Sequence, residues 1–239
     1  MTTHITTTNP VRSDVTTTDA TAGPTRTRPS RAWALAGIGA GIAGFGTMVS
    51  GGLINAVYDE DLVGDPAGRA EKLADQTGAM IGFHIITVIG ALLLVVFAAG
   101  LYRRLRATLG DDSLAPITAF AGLAGTAVVS ILGSGLDTEF IFGLEEDLVE
   151  DDNAILYNHW VGTIPWCWVL AGMAGLALFA AARRGAVPRW IGLVGLVLGG
   201  LTVVGGIAPA QYLALMTGSL WLLVTAIGFA VGDKAHRGA

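Results

Sequence analysis

From residue 33 onward the chain alternates between long apolar runs and short polar segments. Six of the runs reach about 20 residues or more, the length a helix needs to cross the hydrocarbon of a bilayer. They cover 33–55, 78–102, 114–136, 158–182, 188–207 and 211–231. In hydrocarbon every backbone N–H and C=O must be paired within the segment, so these runs predict helices rather than strands. The expected fold class is all-α, a polytopic transmembrane bundle of six helices. The expected organisation is a tail over 1–30, a six-helix transmembrane domain over 31–232 and a short tail over 233–239. The first tail is rich in Thr and has no apolar period, so it is expected to be disordered. Its long polar lead and the length of the first apolar run argue against a cleaved signal peptide.

Composition narrows the class further. Apolar residues make up 52% of the chain and charged residues only 14%, and the mean hydropathy is +0.61. A soluble domain carries roughly a quarter charged residues. An ordinary cytosolic enzyme and a nucleic-acid-binding domain are therefore excluded. The partner that composition demands is the lipid bilayer. A single cysteine, Cys167, rules out an intrachain disulfide and a Cys-based zinc cluster. The excess of Arg over Lys, with abundant Ala and Gly, suggests a bacterial source.

The net charge of −5 hides a sorting of charge by location. Arg12, Arg26, Arg28, Arg31, Arg103, Arg104, Arg106, Arg183, Arg184, Arg189, Lys234 and Arg237 all fall on one side of the six spans. Only Arg69 and Lys72 fall on the other. The positive-inside rule makes the first side cytoplasmic. The expectation is an N-in/C-in protein of the bacterial plasma membrane. The outer side carries Asp59, Glu60, Asp61, Asp65, Glu71 and Asp75 in one segment. A second segment runs from Asp137 to Asp152 with no Lys or Arg. Such a face is either a plain solvated surface or an attractor of cations and basic partners.

Small residues recur inside the spans. Gly37 with Gly41, Ala40 with Gly44, Ala171 with Gly175 and Gly195 with Gly199 each stand four apart. This spacing lets helix backbones approach closely in lipid. It predicts packing within the bundle, or a homo-oligomer through the Gly-rich first span. A faint repeat relates 116–135 to 188–207. Each is preceded by a span with one His toward its outer end and an Arg pair at its inner end.

Candidate chemistry comes from polar residues within the spans, which are costly there and usually face the bundle interior. Thr118, Gly122, Thr126, Ser130, Ser134 and Asp137 are spaced to share one face of the third helix. That face is either close packing, with hydroxyls bonding back to the i−4 carbonyl, or the wall of a polar cavity. His84 lies in the second span, one turn before Thr87. In the fourth, His159, Thr163 and Cys167 would share a face as i, i+4 and i+8. The inner half offers almost nothing ionisable. The pattern therefore points to a polar pocket open to the outside, lined by Ser130, Ser134 and Thr163, near His84, Asp137 and His159.

Three functions fit these residues. The first is a non-enzymatic binding, sensory or accessory bundle with that pocket. The second is a membrane metal-dependent hydrolase, with zinc held by His84, Asp137 and His159 and an open position to activate water. In that case Glu139 could serve as base only if the helix breaks near Gly135 or Leu136. The third is a small-solute transporter, which normally needs polar groups at the midplane. No HExxH pair, phosphate loop, dinucleotide fingerprint or serine nucleophile elbow occurs in the sequence. Whether the protein is an enzyme at all stays open at this point.

The acidic segment from Tyr58 to Asp65, the helix end Gly100-Leu101-Tyr102-Arg103-Arg104-Leu105-Arg106, and the opening Val187-Pro188-Arg189-Trp190-Ile191-Gly192-Leu193-Val194-Gly195-Leu196 carry a resemblance. With them the chain resembles a family of uncharacterised six-helix bacterial integral membrane proteins, a domain of unknown function. The resemblance covers about residues 31–231. It implies the six-helix topology and supplies no reaction.

Overall fold

The computed structural model of the protein describes residues 31–146 and 148–232. The two tails over 1–30 and 233–239 lie outside the described residues. Among the described residues the regular structure is helical throughout, with no strand. Six helical segments are long and apolar enough to cross a membrane: 32–52, 77–109, 115–144, 151–183, 189–207 and 211–231. They coincide with the six apolar runs of the sequence, so this is a multi-pass membrane protein.

The first span is α1 (Ala32–Gly52) and the second is α3 (Thr77–Leu109). At 33 residues, α3 is about 50 Å long, well beyond the roughly 30 Å of hydrocarbon. Its extra turns carry Arg103, Arg104 and Arg106 clear of the apolar zone. Gly110 ends it with φ +72°, a left-handed conformation that a side chain would strain. The third span opens with α4 (Ala115–Ser134), with Pro116 in its first turn, where the missing N–H costs nothing. It breaks at Gly135 and Leu136, then continues as α5 (Asp137–Glu145). The fourth span is also composite. It runs through α6 (Asp151–Val161), a 3-10 stretch at Ile164–Trp168 and α7 (Val169–Arg183). The fifth joins α8 (Arg189–Val194), a π-helical turn at Gly195–Gly199 and α9 (Gly200–Ile207). The sixth is α10 (Gln211–Ile227).

Each span packs on the next in chain order, and α10 closes the ring against α1. Glycine allows the closest approaches. A Cβ at Gly41 would come within 2.9 Å of the Leu223 side chain, and one at Gly37 within 2.8 Å of Ala226. Gly37 also meets Phe97, and Gly44 meets Ser219 and Trp168. The small residues of the first span are thus used inside the bundle, against the second, fourth and sixth spans. A Cβ at Gly175 would stand 2.9 Å from the Gly195 carbonyl oxygen, so the fourth and fifth spans touch backbone to backbone. The faint repeat spans these elements, but the π-helical turn in the fifth span has no counterpart in α4.

A smaller core lies beyond the main one, at the end of the bundle opposite the Arg-rich turns. Here α2 (Pro66–Ala74) packs on α5 and α6. The start of α2 is set by Asp65, whose side chain accepts from the Gly68 N–H at 3.0 Å, followed by Pro66. Leu73, Met80, Phe83, Ile141, Ala154 and Tyr157 fill this second core. It forms a helical cap over the ends of the spans. The acidic segments, read from sequence as outer loops, are largely this cap.

Candidate functional site

The site lies where the cap meets the spans. The break at Gly135 and Leu136 makes Asp137 the first residue of α5. A carboxylate is favoured there because the first-turn N–H groups carry partial positive charge. Asp137 is 0% exposed, buried completely at the boundary between bundle and cap. Its Oδ1 accepts from the Tyr157 hydroxyl at 2.9 Å. Its Oδ2 lies 3.3 Å from Nδ1 of His84 on α3. The same Nδ1 lies 3.1 Å from the Ser134 carbonyl oxygen. Both neighbours of Nδ1 are acceptors, so Nδ1 carries the proton and shares it between them. The His84 side chain is 28% exposed, which leaves the other face of the ring accessible. Tyr157 is itself fully buried and stacks on Phe140, with ring centres 4.4 Å apart and planes at 16°.

Asp137 therefore binds one donor from the second span and one from the cap. Burying a carboxylate is expensive unless its lone pairs are occupied. Here Tyr157 and His84 occupy them, and the three side chains tie α3, α5 and α6 together.

Other polar residues at the cap end interlock nearby. Asn158 donates through Nδ2 to the Ile54 carbonyl at 2.9 Å and accepts from the Val57 N–H at 3.1 Å. This clamps the segment after the first span onto α6. Gln76 and Asn55 are joined by two hydrogen bonds, Asn55 N–H to Gln76 Oε1 at 3.0 Å and Gln76 Nε2 to Asn55 Oδ1 at 2.8 Å. Gln211 donates to the Gly162 carbonyl at 3.2 Å. On the cap surface Lys72 donates to Asp59 at 2.6 Å. That bond, helped by the Asp61 N–H, holds the Asp59 carboxyl below its ordinary value.

Of the six residues singled out by sequence, the structure brings His84 and Asp137 together, with Ser134 contributing its carbonyl rather than its hydroxyl. The Ser134 hydroxyl donates to Ile131 O at 3.3 Å. His159 stands apart from this pair. It is exposed and lies edge-on to Tyr58, with ring centres 6.3 Å apart. Among the described residues no three His, Cys, Asp or Glu side chains are grouped so as to hold a metal ion. The face expected for His159, Thr163 and Cys167 is interrupted, because the helix gives way at Gly162 and resumes as a 3-10 stretch containing Pro165. Thr163 is exposed and donates to Trp160 O at 2.7 Å. The helix does break at Gly135 and Leu136, as a role for Glu139 would require, but Glu139 is exposed.

The polar face of the third span is buried from Gly122 to Asp137. Thr126 bonds back to Gly122 O at 2.9 Å, as close packing predicts. Ser130 instead lines a cavity of about 20 Å³ with Thr47, Thr87, Gly44, Gly90 and Trp168. A second cavity of about 10 Å³ is lined by Thr47, Gly51, Tyr58, Asn158, Gly162 and Tyr212, among others. Each has room for roughly one water molecule.

Sequence reasoning missed Tyr157, which completes the cluster, and Asn158, which was read only as the start of a span. The available signal was their position directly before His159, at the edge of an apolar run.

Comparison of the chain with protein-family profiles, with curated proteins and with solved structures finds no match.

Proposed function

We propose that this protein is a non-enzymatic binding or sensory bundle, set in a bacterial plasma membrane with both termini cytoplasmic. In this reading the helical cap is the outward recognition element, and the Tyr157–Asp137–His84 cluster couples it to the spans. The observation that carries the proposal is the complete burial of Asp137 between a donor from the cap and a donor from the second span. A change in the cap that moves Tyr157 strips Asp137 of a partner, and the cost falls on the contact with His84. The neighbouring cavities have room for about one water each. That scale suits coupling better than turnover of a substrate. The Arg-rich turns at the end opposite the cap, with Arg103, Arg104, Arg106, Arg183, Arg184 and Arg189, support the orientation.

The test is hydrogen exchange on the full-length protein in lipid nanodiscs, comparing wild type with Asp137→Asn. Coupling predicts faster exchange in α2, α5 and α6 and also in the outer turns of α3. Faster exchange confined to α5 would refute coupling through this residue.

A further inference from the structure

Three buried hydroxyls in the cap-side half of the bundle have more protons than the protein gives them acceptors. Thr47, Thr87 and Ser130 are each no more than 5% exposed. Each hydroxyl carries one proton. One is used between Thr47 Oγ1 and Thr87 Oγ1, 3.1 Å apart. Among the described residues, neither threonine bonds back to its own helix, and the Ser130 hydroxyl forms no hydrogen bond. Elsewhere in the bundle Ser219 Oγ and Thr225 Oγ1 are also buried without a partner, but several other hydroxyls bond back to their own helix. Thr126 bonds to Gly122 O, Thr202 to Leu198 O and Thr217 to Leu213 O. Two hydroxyl protons around Thr47, Thr87 and Ser130 are thus left without a protein acceptor.

All three residues line the cavity of about 20 Å³, where Gly44 and Gly90 leave space between the helices. That volume fits one water, and a buried water typically makes about three hydrogen bonds. Thr47 also lines the cavity of about 10 Å³ on its outer side, with Asn158, Tyr58 and Tyr212. Tyr58 is 57% exposed and Tyr212 47% exposed, so that cavity lies next to the outer surface.

We propose that Thr47, Thr87 and Ser130 form a water-binding site in the cap-side half of the bundle, hydrated from the outer end through the cavity beyond Thr47. Water accepts from the two unused hydroxyl protons and donates to the remaining lone pairs. The pathway ends at Ser130, because Leu94 closes the inner side of that cavity and Phe97 and Leu123 are buried in the core below it. The site stands independently of the proposed coupling role.

Radiolytic hydroxyl-radical footprinting of the protein in nanodiscs tests this, since water held in the bundle generates radicals beside the side chains it touches. Trp168 lines the cavity, whereas the fully buried Trp221 lines neither. Trp168 is expected to oxidise at least about five-fold faster than Trp221. The ratio should collapse toward one in Ser130→Ala combined with Thr47→Val. Equal oxidation of the two tryptophans in wild type, which needs no variant to fold, overturns the proposal. So does a ratio that persists in the double variant.

Discussion

His84 and Asp137 lie 53 positions apart in sequence, and Nδ1 of the first sits 3.3 Å from Oδ2 of the second. The contact crosses from the second span to a helix that starts where the third span breaks. With Tyr157 on the other carboxylate oxygen, it makes Asp137 the joint between the membrane bundle and its cap. Among the described acidic residues at the cap end, Asp137 alone is fully buried.

Replacing Asp137 by Ala removes the common acceptor and leaves the Tyr157 hydroxyl buried without a partner. Leaving a buried hydrogen-bonding group without its partner costs about 1–3 kcal/mol, and this variant removes the His84 contact as well. Tyr157→Phe removes a single hydrogen bond and should cost about 0.5–1.5 kcal/mol. Thermal unfolding in detergent should therefore rank the variants as wild type, Tyr157→Phe, then Asp137→Ala. The reverse order of the two variants would mean that ring packing on Phe140 outweighs the hydrogen bond.

Glycine positions divide sharply. A Cβ at Gly195 would run into the Gly175 carbonyl oxygen, whereas a Cβ at Gly82 meets nothing within 4 Å. Gly195→Ala is expected to lower the unfolding midpoint markedly by forcing the fourth and fifth spans apart. Gly82→Ala should raise stability by about 0.5–1 kcal/mol, because it removes backbone freedom from the interior of α3. The yield of monodisperse protein after detergent extraction, together with a melting curve, checks both.

The pair Asp59 and Lys72 sets an expectation for pH. The Asp59 carboxyl is held below its ordinary 3.8 by the Lys72 bond. A group depressed on folding stabilises the fold above its unfolded value. That contribution is complete above about pH 5 and fades as pH falls through the lowered native value. The pair is solvent-exposed, so the effect is small and salt-sensitive. Lys72→Ala should narrow the difference in α2 hydrogen exchange between pH 6 and pH 3. An unchanged difference would show that the pair contributes nothing.

Topology is open to a direct check. In a Cys167→Ser background, cysteine placed at Asp61 should react with a membrane-impermeant thiol reagent added to intact cells. Cysteine placed at Thr108 should react only after lysis. The opposite pattern would invert the assignment of sides.

The six spans were legible in the sequence because the bilayer imposes both length and composition on them. The buried face of the third span was legible too, since spacings of four keep Gly122, Thr126, Ser130 and Ser134 on one stripe. The cap was not. The helices α2, α5 and α6 have 9, 9 and 11 residues, and their charged surfaces read as loop. Their helical form depends on a shared core around Leu73 and Tyr157, and such long-range contacts leave no local period. Helix breaks were equally hidden. At Gly135 and Leu136 the helical hydrogen bonding is interrupted with no proline to mark it, although both residues keep helical dihedrals, and Asp137 follows directly. In the fourth span Pro165 was visible, but its consequence was not. The 3-10 stretch there contains Cys167 and breaks its helical register with His159 and Thr163.

The most direct measurement is a double-mutant cycle between Asp137→Asn and Tyr157→Phe, read by equilibrium unfolding of the purified protein in detergent. Residues that share one hydrogen bond are coupled by about 0.5–3 kcal/mol. A joint at Asp137 predicts that the double variant is less destabilised than the sum of the two single variants, by an amount in that range. Strict additivity within about 0.3 kcal/mol would contradict it, because Asp137 and Tyr157 would then act independently and the cap would be held by packing alone.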